Sequence, residues 1–140
     1  MSGRFFLDTN VFVYTFDAQA PAKKRKALQL IQRASDSGEG IVSYQVVQEF
    51  FNVALRRFAH PMTISEAEQY FVTVFRPLLA IHSSPALIQE GLRLAGRYKL
   101  GWYDSLIVAA ALQHKCSTLY SEDLQDEREI ESVRVQNPFR

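Results

Sequence analysis

The stretch RFFLDTNVFVYTF, Arg4 to Phe16, decides how this chain is read. Apart from Asp8, Thr9 and Asn10 it is almost wholly apolar. FFL (5–7) reads as a short buried strand, and NVFVYTFD places Val11, Tyr14 and Thr15 at helical spacing. A carboxylate is rarely buried unless it is paired or bound to a metal. Asp8, at the end of a core strand, therefore needs a reason to be there.

Outward from that stretch, strands alternate with helices. Pro21 opens a helix whose stripe Ala27, Leu28, Leu30, Ile31 and Ala34 ends at Gly38. GIVS (40–43) is a second strand, and Ser43 or Tyr44 begins a helix through QVVQEFFNVALRRF. Ser65 and Glu68 have capping-box spacing before the helical AEQYFVTVF. LLAIH (78–82) is a third strand; Pro85 opens a helix to about Tyr98, and YDSLIVAAALQH is another. STLYS (117–121) is a fourth strand, and VRVQ (133–136) is expected as a short edge strand. The alternation predicts an α/β domain with a mainly parallel sheet and helices on both faces.

The chain has 140 residues, 47% of them apolar, enough for one domain with one continuous core. Lys plus Arg is 16 and Asp plus Glu is 15, so a net charge of +1 selects no class of partner. The single cysteine, Cys116, excludes an internal disulfide, fits a reducing cytoplasm and reads as a small buried residue. No apolar run reaches the roughly 18 residues of a membrane span, and no signal-peptide pattern is expected.

In an open α/β sheet, ligands bind beyond the carboxyl ends of the strands. Asp8 ends strand one, Glu49 lies about two turns into the helix after strand two, Asp104 lies in a first helical turn and Asp123 follows strand four. Four acids from distant segments thus lean toward one rim. Two like charges about 4 Å apart repel by about 4 kcal/mol at an effective dielectric near 20. A hard divalent cation such as Mg²⁺ or Mn²⁺ reverses that sign, which makes Asp8 a metal ligand with Thr9 and Asn10 as polar support. On spacing alone, Asp104 is equally a helix-dipole residue, Asp123 a turn cap and Glu49 part of a wet helix face beside Gln45, Gln48 and Asn52.

FLDTNVFVY, IVSYQVVQEFFNVALRR, YDSLIVAAALQ, LYSEDLQ and VRVQNPF follow one another in an order that resembles PIN-domain proteins, most closely VapC-type toxin ribonucleases of toxin–antitoxin pairs. The resemblance covers nearly the whole chain and implies a single PIN-like α/β/α domain over 1–140. It implies RNA hydrolysis with Mg²⁺ or Mn²⁺. Matched motif by motif, the acids are Asp8 of LDTN, Glu49 of VVQEF, Asp104 of WYDSLIV and Asp123 of SED. Thr9 and Asn10 take the polar positions after the first acid, and Ser121 the hydroxyl position before the fourth. Glu122 adjoins Asp123, and either side chain can present the last carboxylate, with the motif register favouring Asp123. Glu127 stands where many relatives carry glycine, and Ser132 where a later loop glycine is expected, leaving the path from Asp126 to Val133 open.

The resemblance also implies an antitoxin partner lying across the active-site groove, and a homodimer built through helices. EFFNVALRRF with EAEQYFVTVF is the candidate apolar groove, although such stripes equally cover a sheet. KKRK (23–26) and Arg56–Arg57 are candidates to guide RNA, against the reading of a solvated helix face; Tyr44 and Trp102 are candidates to stack a base. His60, His82 and His114 read as structural or exposed. Three alternatives remain: a phosphotransferase with an Asp8 nucleophile, a non-catalytic PIN-like RNA- or protein-binding module, and a DNA- or structure-specific nuclease. The first lacks a second acid two residues after Asp8, where Asn10 stands.

Overall fold

A computed structural model describes residues 3–140. The wholly buried β1 (Phe5–Leu7) leads into α1 (Thr9–Val13), which tightens into a 3₁₀ turn over Tyr14–Phe16. Then come α2 (Pro21–Ser37), β2 (Gly40–Ser43), α3 (Tyr44–Ala54), α4 (Ile64–Tyr70) and β3 (Leu79–Ile81). They are followed by α5 (Pro85–Tyr98), α6 (Trp102–Gln113), β4 (Thr118–Tyr120), β5 (Glu129–Ile130) and β6 (Val133–Gln136).

The described strands form one sheet in the order β3-β2-β1-β4-β6-β5, parallel except for the β5–β6 hairpin. The chain steps from β1 through β2 to β3 on one side, then returns past β1 to β4. Parallel crossovers are right-handed, so this reversal puts α5 and α6 on the opposite face from α1 to α4. Helix α1 packs on α2 and α3, and α5 packs on α6. The α/β architecture with a flanked, mainly parallel sheet is the one the alternation predicts.

The core explains the local choices. Val42, Phe6 and Leu119 are fully buried on neighbouring strands, with Phe12, Phe50 and Phe75 beneath the helices. Gly40 lets α2 approach β2: a Cβ there would lie 2.1 Å from the Ala34 Cβ. Gly38 ends α2 with φ 70, and Pro21 opens it. Cys116 is buried and its thiol is pushed up to about 12 by that burial. No described helix is long and apolar enough to cross a membrane.

Several expectations need correction. The capping box is Thr63 with Glu66, because Thr63 is the extended residue and Ser65 is already helical. Beyond Tyr70 the helix widens into a π turn over Phe71–Phe75, which seats Phe75 in the core. Helix α3 stops at Ala54, short of the expected LRRF. On α2, Leu28 is exposed; Ala27, Leu30 and Ala34 are buried and Ile31 packs half-buried against the core. VRVQ is not an edge strand, since β6 lies between β4 and β5. Two of the four non-glycine residues with positive φ among the described residues belong to that hairpin region: Glu127, just before β5, at 64 and Glu131, not Ser132, in its turn at 55.

Candidate active site

The reversal of strand order falls between β1 and β4, and both strands end there in short polar segments. After β1, Asp8 takes an extended conformation and caps α1, its Oδ1 accepting from the Thr9 amide at 2.7 Å. Its Oδ2 accepts from the Ser121 hydroxyl at 2.8 Å, just beyond β4. That hydroxyl also accepts from the Asp123 amide at 3.2 Å. One serine thus ties together the carboxyl ends of the two central strands.

Asp8, Glu49, Asp104 and Asp123 line one cavity of about 340 Å³, together with Thr9 and Asn10. Val13, Val53 and Ile107 supply its apolar lining. Asp8 is buried, Glu49 and Asp104 are half-buried and Asp123 is exposed. The Thr9 hydroxyl donates to Glu49 Oε1 at 2.7 Å. The Asn10 amide donates to both oxygens of Asp123 at 3.1 Å. Ser121 is fully buried behind them.

The electrostatics follow from the packing. Burial pushes the Asp8 carboxyl up to about 6; the bonds from Ser121 and Thr9 pull it down, and the charges of Asp123 and Glu49 push it up again. Asp104 is raised by burial first, then by Asp123 and Glu49. The ion pairs among the described residues all lie elsewhere, and no positive charge is among the influences on Asp8 or Asp104.

The all-carboxylate, amide and hydroxyl donor set suits a hard cation that keeps several of its waters. Among the described residues, no group of three or more His, Cys, Asp or Glu side chains is gathered closely enough to hold a metal ion directly. The four acids line a space of about 340 Å³, room for an ion that keeps water between itself and some of the carboxylates. A cation held through Asp8, Glu49, Asp104 and Asp123 would offset both the burial and the added repulsion that raise Asp8 and Asp104.

The neighbouring acid has a different role. Glu122 is absent from the cavity lining; its Oε1 accepts from the Tyr14 hydroxyl at 2.7 Å and its Oε2 from Lys23 Nζ at 3.0 Å. Burial pushes Glu122 up, but these bonds and the Lys23 charge outweigh it and hold the carboxyl below its ordinary value. Lys23, expected as part of an RNA-guiding run, is thus engaged with Glu122. Sequence reading missed the part played by Gln45, whose amide donates to Glu49 Oε2 at 3.3 Å and to the Tyr103 carbonyl at 3.2 Å. Its place four residues before Glu49 on one helix was the available signal. Tyr44 and Trp102, expected to flank the acids, do not line this cavity. His60 and His82 are exposed and His114 is half-buried.

The PIN domain family model matches residues 5–128. The chain belongs to the PIN domain family. No curated protein sequence matches it. Solved structures share the PIN fold at low identity. A toxin–antitoxin complex from Klebsiella pneumoniae is 19% identical with a TM-score of 0.65, over 91% of this chain and 93% of that one. The structure of FitAB bound to an IR36 DNA fragment gives 18% and 0.68, over 97% and 96%. VapC20, a sarcin–ricin-loop-cleaving toxin of Mycobacterium tuberculosis, gives 17% and 0.60, over 85% and 89%.

Proposed function

We propose that this PIN domain is a metal-dependent endoribonuclease, the toxin of a toxin–antitoxin pair, acting in the cytoplasm with Mg²⁺ or Mn²⁺. The observation that carries the reading is the cavity itself: four carboxylates from α3, α6 and the ends of β1 and β4, none of which joins an ion pair among the described residues. Membership of the PIN family and likeness to toxin folds support it.

A bound Mg²⁺ or Mn²⁺ would supply charge neutralisation on a phosphodiester and acidify a water for in-line attack. The chain's own residues do the rest. Asp8, Glu49, Asp104 and Asp123 would hold the cation; Thr9, Gln45 and Asn10 fix the directions of Glu49 and Asp123. Ser121 holds Asp8 against β4. Asn52 lines the cavity as a neutral donor for a phosphate oxygen. Arg56 and Arg57, exposed just beyond the end of α3, are placed to meet the RNA backbone.

The partner proteins belong to the same reading. Phe16, Phe50, Phe58 and Tyr70 pack ring on ring, so most of the apolar stripe on α3 and α4 is spent inside the molecule. Ile64 and Val72 stay exposed, an apolar surface for an antitoxin segment. Ile88 and Leu92 are exposed on α5, a surface for a homodimer.

Incubation of the purified protein with an RNA pool and Mn²⁺, with the cut ends mapped, is the decisive experiment. Cleavage at discrete sites by the wild type and none by folded Asp8→Asn is the expected result. RNA cutting that survives chelation, or survives Asp8→Asn, ends the proposal. Cleavage of single-stranded DNA but not RNA would move the substrate to DNA.

A further inference from the structure

Asp123 is the exposed member of the acid set, and it sits on a bend between β4 and β5 rather than on a helix or strand. Asn10 grips its carboxylate from one side. From the other side the bend is gripped through the next residue back. Glu122 accepts from Tyr14 and Lys23, and Lys23 Nζ also donates to the Tyr14 hydroxyl at 3.1 Å. The three polar groups therefore close a triangle, one bond along each side. Lys23 lies 4.6 Å from the centroid of the Tyr14 ring and 5.7 Å from that of Phe139, and Phe139 meets Tyr14 edge-on at 4.8 Å. The triangle thus joins the turn after α1, the first turn of α2, the β4–β5 bend and the C-terminal segment.

Neighbouring Cα atoms are only about 3.8 Å apart. Glu122 and Asp123 are adjacent on one bend, so anchoring the Glu122 side chain outside the cavity restrains the backbone that carries Asp123, whose amide donates to Ser121 Oγ and whose carboxylate Asn10 holds. We propose that Tyr14, Lys23 and Glu122 form a brace that holds the Asp123 carboxylate toward the acid cavity, making them positioning residues for whatever the cavity binds. Its functional consequence rests on the metal-dependent reading above; the brace itself does not. A surface ion pair alone is worth little, but here both partners are also hydrogen-bonded to Tyr14, and Lys23 lies over two rings. The alternative use of Lys23, as a contact to RNA phosphate, predicts no effect before RNA is added.

The test uses the full chain without RNA. Groups that orient metal ligands typically change metal affinity by 10–100-fold, so Lys23→Met and Tyr14→Phe are each expected to weaken Mn²⁺ binding by about tenfold in calorimetry. Lys23→Arg restores most of the loss, the double variant is no worse than either single one, and Lys23→Met changes nothing further in an Asp123→Ala background. Hydrogen exchange of the Asp123 amide, measured in metal-free protein at an unchanged unfolding midpoint, is expected to speed up in Lys23→Met and Tyr14→Phe. Unchanged exchange in these variants overturns the brace whatever the metal does. A Mn²⁺ loss of equal size in the Asp123→Ala background overturns its link to Asp123. Wild-type protein that takes up no Mn²⁺ ends the nuclease reading instead, and the exchange measurement then decides the brace alone.

Discussion

The hydroxyl of Ser121 donates to Asp8 Oδ2 at 2.8 Å, joining residues 113 positions apart at the carboxyl ends of the two central strands. Both residues are buried. A hydrogen bond to a charged group contributes about 1.5–3 kcal/mol, so Ser121→Ala is expected to lower stability by about 2 kcal/mol at neutral pH. It also removes a contact that pulls the Asp8 carboxyl down, so Asp8 titrates higher in that variant. Chemical denaturation at several pH values reads both effects. A variant as stable as the wild type would mean the bond carries no weight.

The pH dependence of metal-free stability has a definite sign. Asp8 titrates at about 6 in the folded chain against its ordinary 3.8, so the fold prefers its protonated form. Stability from this group is full below about pH 4, falls as pH rises toward 6 and is flat above. The whole step is on the order of 3 kcal/mol. Glu66, Glu122 and Glu131 are held low and run the opposite way, so the difference between wild type and Asp8→Asn is the quantity to measure. Asp8→Asn is expected to gain on the wild type between pH 4 and 6, and Mn²⁺ at pH 7.5 to stabilise the wild type alone. A difference that does not vary with pH would contradict the burial account of Asp8.

Gly40→Ala tests the seam between β2 and α2. The new methyl would meet the Ala34 Cβ at 2.1 Å, the Ala34 Cα at 2.7 Å and the Phe5 ring at 2.9 Å. Two of those atoms are close to backbone that cannot swing away, so a loss of about 3 kcal/mol or more is expected. Unfolding midpoints near the wild-type value would show that α2 shifts freely.

Glu127→Gly tests the hairpin loop. Glu127 has φ 64, a region that disfavours side chains by about 1 kcal/mol, and its ion pair with Arg134 is 3.7 Å long and exposed. Glycine there is expected to raise stability by about 0.5 kcal/mol, part of the gain being offset by greater freedom in the unfolded chain. Glu131→Gly, at φ 55, is expected to bring no gain, because Glu131 anchors Arg93 and Tyr98. Thermal unfolding of the pair separates them, and a stabilised Glu131→Gly would contradict the account.

Much of this was legible in residues. The alternation of apolar strands with helical stripes fixes the sheet, because each element must bury one face and parallel strands need crossovers. Asp8 stood out because a carboxylate in an apolar run is costly, and Pro21 and Gly38 marked the ends of α2 because each has one backbone preference. The capping box was misplaced by two residues because Thr63 and Ser65 offer the same chemistry, and only the backbone angle at Thr63 distinguishes them. The glycine-like turn at Glu127 was readable as a departure from the family pattern; the second, at Glu131, fell one residue from where the pattern put it.

By itself, then, the sequence determined the α/β alternation, the four acids and their places after strands and on helices, since those follow from local periodicity and from which residue types resist burial. Only tertiary structure decided that Asp123 and not Glu122 lines the cavity, that Gln45 steadies Glu49, and that Tyr44 and Trp102 are not in the cavity lining. The reason is the range of the forces. Strand and helix are set by neighbours a few positions apart, whereas the direction of a side chain on a bend is set by partners such as Tyr14 and Lys23, about a hundred residues distant in the chain.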